Sequence, residues 1–298
     1  MGWKISEKVL IGTSGWGYDE WVGSFYPKSL TKKEYLIYYS EIFSTNEINT
    51  TFYNIPSKRV VASWVKKTPK DFLFSVKMPR TITHDYKLNL DECSETLYSF
   101  FDSISPIYES GKLLAVLIQL PPSFSKILHF KAFKEFIENW PSVFSKYRQN
   151  LVIEFRHLSW MNEEVFSYLK ENDLTYCAVI EPKLPPRMDI TTPEFAYVRF
   201  HGYGREIWFD YLFSKDEIIR WAAKLRELID NTERLGIYFN NHFSGYAVKN
   251  ALMLMEELGI STRKSENDIK VLEVKKKAGS HSKGQKSLDS FLKKQASD

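Results

Sequence analysis

The 298-residue chain is 43% hydrophobic and 26% charged, with 13 Gly and 12 Pro. That composition excludes a disordered or collagen-like chain and leaves room for two ordinary domains or one barrel of about 250 residues. Two cysteines exclude a disulfide framework, the longest aliphatic run (113–118) is far short of the roughly 20 residues of a spanning helix, and the net charge of +4 is carried by the tail, since residues 261–298 hold 10 basic and 5 acidic residues against 31 and 32 elsewhere.

The N-terminus lacks the basic region and long apolar run of a secretory signal, so a cytoplasmic protein is expected. From there, short β-branched and aromatic runs alternate with segments of helical period. Strands are predicted at Lys8–Ser14, Thr45–Asn49, Phe72–Lys77, Leu113–Gln119, Leu151–Arg156, Thr175–Ile180, Ala196–His201 and Gly236–Asn240. Helices are predicted at Lys32–Phe43, Ser57–Lys67, Asp91–Tyr108, Phe130–Trp140, Asn162–Glu171, Lys215–Asn231 and Tyr246–Leu258. Between the sixth and seventh strands, Glu181–Pro193 has four prolines and no helical pattern. This order predicts an α/β fold with a single (β/α)8 TIM-type barrel over 1–260. A flexible basic C-terminal tail follows over 261–298, within which IKVLEV (269–274) is open to being a short strand.

A barrel of this type carries its chemistry at the C-terminal ends of its strands. Those ends present Trp16, then Glu47, Asn49 and Tyr53, then Lys77 and Arg80, then Glu154, Arg156, His157 and Trp160, then Arg199 and His201, then Asn240 and His242. Any one strand-end cation is most simply a buried ion pair. Four together (Lys77, Arg80, Arg156, Arg199) exceed what Glu47 and Glu154 neutralise, which points to an anionic ligand. Aromatic rings among cations suit stacked bases beside phosphates, so Trp16, Asn49, Tyr53, Lys77, Arg80, Arg156, His157, Trp160, Arg199 and Asn240 are the candidate substrate-binding set. Glu47, Glu154, His201 and His242 are the candidate catalytic residues, as base, acid or metal ligands. No motif names a cofactor. Carboxylate and imidazole at a mouth suit a divalent metal such as zinc or manganese, but no HxH or HExxH spacing supports one.

The motifs IGTSGWGYDEWVGSFYP (11–27), EINTTFYNIP, FLFSVKMPRTITH, LIQLPPSF, VIEFRHLSW, YVRFHG and YFNNHFSGYAVKNA resemble, in this order, those of the YecE-like family, domain of unknown function seventy-two. The resemblance covers about residues 9–258 and implies a (β/α)8 barrel with a polar, cationic mouth built from these motifs. It supplies no established reaction. The family's barrel is similar to that of endonuclease IV-type DNA-repair enzymes, whose metal-ligand set these motifs do not reproduce.

Gln285, Leu288, Phe291 and Leu292 resemble the PIP-box peptide by which replication and repair proteins bind the sliding clamp PCNA. The three apolar residues share one face of a helical turn and can fill a hydrophobic pocket. Leu292 stands where that motif usually has an aromatic residue. Tail and mouth together point to a DNA-repair or DNA-processing enzyme, a nuclease or glycosylase, recruited by PCNA and acting on DNA, with no membrane association. The alternatives are a non-catalytic nucleic-acid-binding adaptor of the clamp and a small-molecule enzyme acting on an anionic substrate.

Overall fold

In the computed structural model, residues 5–263 are described. Eight parallel strands, β1 Val9–Thr13, β2 Thr45–Ile48, β3 Leu73–Lys77, β4 Leu113–Gln119, β5 Leu151–Glu154, β6 Thr175–Ile180, β7 Phe195–Phe200 and β8 Arg234–Phe239, pair in the order β1-β8-β7-β6-β5-β4-β3-β2. Apart from β1 and β2, each strand pairs with its sequence neighbours, as a (β/α)8 barrel requires. Helices lie between them: α1 Ile5–Lys8, α2 Tyr35–Ser40, α3 Thr50–Tyr53, α4 Lys58–Lys67, α5 Leu90–Glu109, α6 Lys126–Glu138, α7 Glu163–Glu171, α8 Lys215–Asn231 and α9 Tyr246–Glu257. Local chemistry sets their starts. Ser214 and Glu217 form a reciprocal capping box at α8, and Asn89 accepts from the Asp91 N–H at α5, each satisfying N–H groups with no intrahelical partner. The proline-rich 181–194 segment joins β6 to β7 without a helix.

Two predicted strand ends lie beyond the observed ladders. The ladders end at Glu154 and Phe200 rather than at Arg156 and His201, although the His201 N–H still donates to the Ile180 carbonyl at 3.0 Å. The helix predicted over Lys32–Phe43 is confined to Tyr35–Ser40.

The barrel closes between β1 and β2 through side chains rather than a full ladder. Ser14 and Glu47 form a single parallel bridge, and the Gly15 N–H donates to the Glu47 carbonyl at 2.8 Å. Below it the Tyr39 hydroxyl accepts from the Thr13 N–H at 2.8 Å and donates to the Thr45 carbonyl at 3.1 Å. The Asn46 amide donates to the carbonyls of Thr13 and Gly15, both at 3.0 Å. These side chains satisfy backbone groups that a ladder would otherwise pair. Gly12 is required at this seam, since a Cβ there would lie 2.3 Å from the Thr45 carbonyl oxygen.

Successive strand residues alternate between the helix-facing core and the barrel interior. Leu10, Ala115, Leu117, Val152, Cys177, Val179, Tyr197 and Tyr238 fill the lower interior. The same parity, continued along the strands toward the mouth, falls on Ser14, Lys77, Gln119, Glu154, Glu181 and Arg199. The interior is therefore apolar below and polar above. Among the described residues no helix is long and apolar enough to cross a membrane. The tail motif (Gln285, Leu288, Phe291, Leu292) and the IKVLEV segment lie outside the described residues, whereas Arg263, inside the predicted tail, pairs with Asp71 at 2.8 Å.

Candidate active site

Arg199, at the mouth end of β7, is 1% exposed and crosses the barrel to two carboxylates. Its Nε and Nη2 donate to Glu47 Oε2 and Oε1 at 2.8 and 2.7 Å, and its Nη1 donates to Glu154 Oε2 at 2.7 Å. Glu47 also accepts from the Ser14 hydroxyl at 2.6 Å and the Tyr197 hydroxyl at 2.8 Å. One guanidinium thus ties β7 to β2 and β5, next to the incomplete β1/β2 seam. Such bidentate, fully desolvated pairs require every polar atom to be satisfied.

Arg156 sits above this layer. It donates from Nε to Glu154 and from Nη1 to Glu181, and its Nη2 lies 2.8 Å from His201 Nε2. Arg199 Nη1 approaches the same ring nitrogen at 3.2 Å. Two guanidinium donors on one nitrogen make His201 Nε2 an acceptor, and the Asn240 side-chain amide nitrogen stands 3.0 Å from Nδ1 on the other side of the ring. Burial, then Arg156, Arg199 and Lys77, hold the His201 pKa well below its usual value. His201 is a neutral acceptor here, and a proton-donating role would require those guanidiniums to move.

Glu181 changes the charge count on which an anionic ligand was expected. It was not among the sequence candidates, although its position two residues beyond inward-facing Val179 marks it. Arg199 is balanced by Glu47 and Glu154, Arg156 by Glu154 and Glu181, and Arg80 pairs with Asp85 at 3.2 Å. The guanidiniums alone therefore do not demand an anion. Lys77 differs from them. Among the described residues its Nζ has no carboxylate or hydrogen-bond partner. It lies over the Phe52 ring, 3.9 Å from the centroid, and the residue keeps 9% exposure at the mouth. Thr51, beside Phe52 on α3, donates its hydroxyl to the Lys77 carbonyl at 2.7 Å and pins the end of β3. Burial, reinforced by Arg199 and Arg156 and opposed by Glu154 and Glu47, brings the Lys77 amine down to about 7. The ring's attraction for an ammonium opposes this shift, and removal from water outweighs it.

The other candidates separate. His84 packs edge-on against Phe52 at 4.9 Å. Burial, with Lys77, Arg80 and Arg156 nearby, lowers it to about 3. Tyr53 stands at the rim, 59% exposed. Trp16 is half-buried, edge-to-face with Trp64 at 5.5 Å, and His157 accepts from the Ser159 N–H at 3.1 Å as a local cap. Asn49 is half-buried just beyond β2, its Oδ1 sealed without a partner. Trp160, expected to contact substrate, is instead fully buried and stacked on Phe155 at 4.4 Å. It is a core ring because the loops after β4 and β5 fold onto α6. His242 stacks on Tyr18 at 4.6 Å with its Nδ1 3.2 Å from Glu20, on the rim between the first and last loops and outside the carboxylate network. The four candidate catalytic residues therefore form no common donor set. Among the described residues no group of three His, Cys, Asp or Glu side chains is placed to hold a metal ion. A cavity of about 520 Å³ opens at the opposite end of the barrel among Glu7, Asp173, Glu194, Glu233 and Arg234, the face on which barrels of this type carry stability rather than chemistry.

A family model described as "Protein of unknown function DUF72" matches residues 10–273. The chain belongs to this family. The match extends past residue 260, so the family's share of the chain includes the first part of the predicted tail. The DUF72 chain is 27% identical over 280 residues to the UPF0759 protein YunF of Bacillus subtilis, covering 85% of this chain and 95% of that one. It is 30% identical over 149 residues to the UPF0759 protein YecE of Escherichia coli, covering about half of each. A solved DUF72 structure from Thermotoga maritima superposes with a TM-score of 0.74 at 33% identity, over 85% of this chain and 99% of that one. Another, from Enterococcus faecalis, superposes at 0.72 and 23% identity, over 87% and 98%, and supports the fold alone.

The network predicts how stability depends on acid. Burial raises the Glu154 carboxyl, but Arg156, Arg199 and Lys77 outweigh it and hold it at about 2 against an ordinary 4.5. A depressed carboxylate stabilises the fold above the unfolded value, and that contribution is lost as pH falls through the folded value. About 3 kcal/mol should therefore disappear between pH 4.5 and 2. His84, neutral in the fold down to about 3 against an ordinary 6.5, adds loss of the same sign below pH 6.5. Urea melts from pH 7 to pH 3 should show stability falling in both windows, and Glu154→Gln should flatten the lower one. A parent protein equally stable at pH 7 and pH 3 would contradict this.

Proposed function

We propose that this DUF72 chain is an enzyme whose active site is the C-terminal mouth of the barrel and whose substrate is anionic. The observation that carries the reading is Lys77, a cation without a carboxylate partner among the described residues, at a mouth whose guanidiniums are each held by carboxylates. The carboxylate-held guanidiniums supply a rigid floor, and Lys77 is the group left to meet a ligand. Rigid placement before binding is what such a site needs to be effective. Titrating the full chain with inorganic phosphate by calorimetry tests this. Saturable binding that weakens on adding salt and is lost in Lys77→Met is the expected result. Heats unchanged by Lys77→Met would remove the reading.

The tail sequence favours a nucleic acid as that anion. Under this reading the protein acts on DNA as a repair or processing enzyme, and Gln285, Leu288, Phe291 and Leu292 dock it on PCNA. What supports it is the PIP-box-like spacing on a basic C-terminal segment, independent of the mouth. Calorimetry against the purified clamp of the same organism should show binding. That binding should be abolished by Phe291→Ala with Leu292→Ala, since burying these side chains contributes about 1.5–3 kcal/mol each. Gln285→Ala should cost about 1 kcal/mol. An unchanged affinity in the double variant would leave the small-molecule reading of the mouth standing and remove DNA.

A further inference from the structure

We propose that Lys77 is a nucleophile that forms a Schiff base with a phosphorylated sugar aldehyde. The inference rests on the reading of the mouth as an anion site and specifies its chemistry. Lys77 ends β3 on the inward parity, its amine above the Phe52 ring and without a hydrogen-bond or carboxylate partner among the described residues. An amine placed only to hold a charge would sit within reach of Glu154 or Glu47, as Arg199 does at 2.7 Å. Lys77 is withdrawn from both, desolvated, and set among guanidiniums. These conditions convert a lysine from an ammonium into a free amine, and its value of about 7 agrees.

The reaction needs no co-reactant. The amine lone pair attacks the aldehyde carbon and forms the C–N bond while the carbonyl π pair moves to oxygen. That oxygen then leaves as water with the two protons of the amine, and the C=N bond remains. Arg156 uses one N–H on each of its nitrogens toward Glu154, Glu181 and His201, which leaves two guanidinium N–H groups for a phosphate. A sugar aldehyde bearing phosphate has the two features this pair requires, an electrophilic carbon for Lys77 and an anion for Arg156. The same chemistry exists in a free aldose phosphate and in the open-chain deoxyribose of an abasic site in DNA.

Borohydride trapping tests the proposal, because hydride reduces the imine carbon to a stable secondary amine. The full chain is incubated with sodium borohydride and either glyceraldehyde 3-phosphate or a duplex carrying one abasic site, and adducts are mapped by peptide mass spectrometry. An adduct on Lys77 in at least one arm, lost in both Lys77→Met and Lys77→Arg, is expected, and the arm that traps identifies the source of the aldehyde. No adduct in either arm, adducts confined to other lysines, or adducts undiminished in Lys77→Met would overturn it. A chain that binds phosphate but traps nothing loses this inference and keeps the anion site. One that does neither loses both. Melting curves of the two variants confirm that each is folded.

Discussion

Glu154→Ala should destabilise the protein by about 3–5 kcal/mol, the usual result of removing one partner from a buried ion network. Glu154 is fully buried and accepts from both guanidiniums of the mouth. Without it Arg199 retains Glu47 and Arg156 retains Glu181, but Arg199 Nη1 and Arg156 Nε lose their acceptor and face a void. The loss should exceed that of an ordinary core truncation of the same size, because each guanidinium is left with a donor that has lost its acceptor. Glu154→Gln keeps the shape and one acceptor and should lose less. Urea denaturation of both variants at pH 7 checks the order. Equal midpoints for Glu154→Ala and the parent would show that the network does not hold the barrel together.

Lys77→Met should have the opposite sign, raising stability by on the order of 2–4 kcal/mol at pH 7. The folded value of about 7 lies below the ordinary 10.5. Between these pH values the unfolded chain binds a proton that the folded chain does not, so the parent gains stability as pH rises from about 7 toward 10.5. Methionine has no amine to desolvate and covers Phe52 equally well, so the variant should melt higher at pH 7 and lack that slope. A residue that costs the fold this much and is stabilising to remove is the pattern of a site shaped for chemistry rather than for packing. A Lys77→Met variant less stable than the parent at pH 7 would show that the amine is a structural cation after all.

The expected role of Arg156 shows where reading by residue type stopped. As a strand-end cation it was assigned to a ligand, yet its bonds to Glu154, Glu181 and His201 make it part of the mouth's own structure. Arg156→Ala should therefore lower stability as well as ligand affinity. Counting carboxylates at the strand ends finds only Glu47 and Glu154. Glu181 opens a proline-rich segment with no helical pattern, and nothing in its neighbours announces that it faces Arg156.

The amino-acid order by itself determined the eight strands, the missing helix between β6 and β7 and the polar mouth, because strand alternation, helical period and proline all act over a few residues. Which cation stands without a carboxylate, which aromatic is core and which rim, and which nitrogen of His201 meets the guanidiniums were decided only by the tertiary structure. Those properties depend on distances between residues far apart in the chain, as Glu47 is from Arg199, and on how much water the closed barrel removes from each. Burial and partner choice together set the charge state of a side chain, and neither is a local property of the sequence.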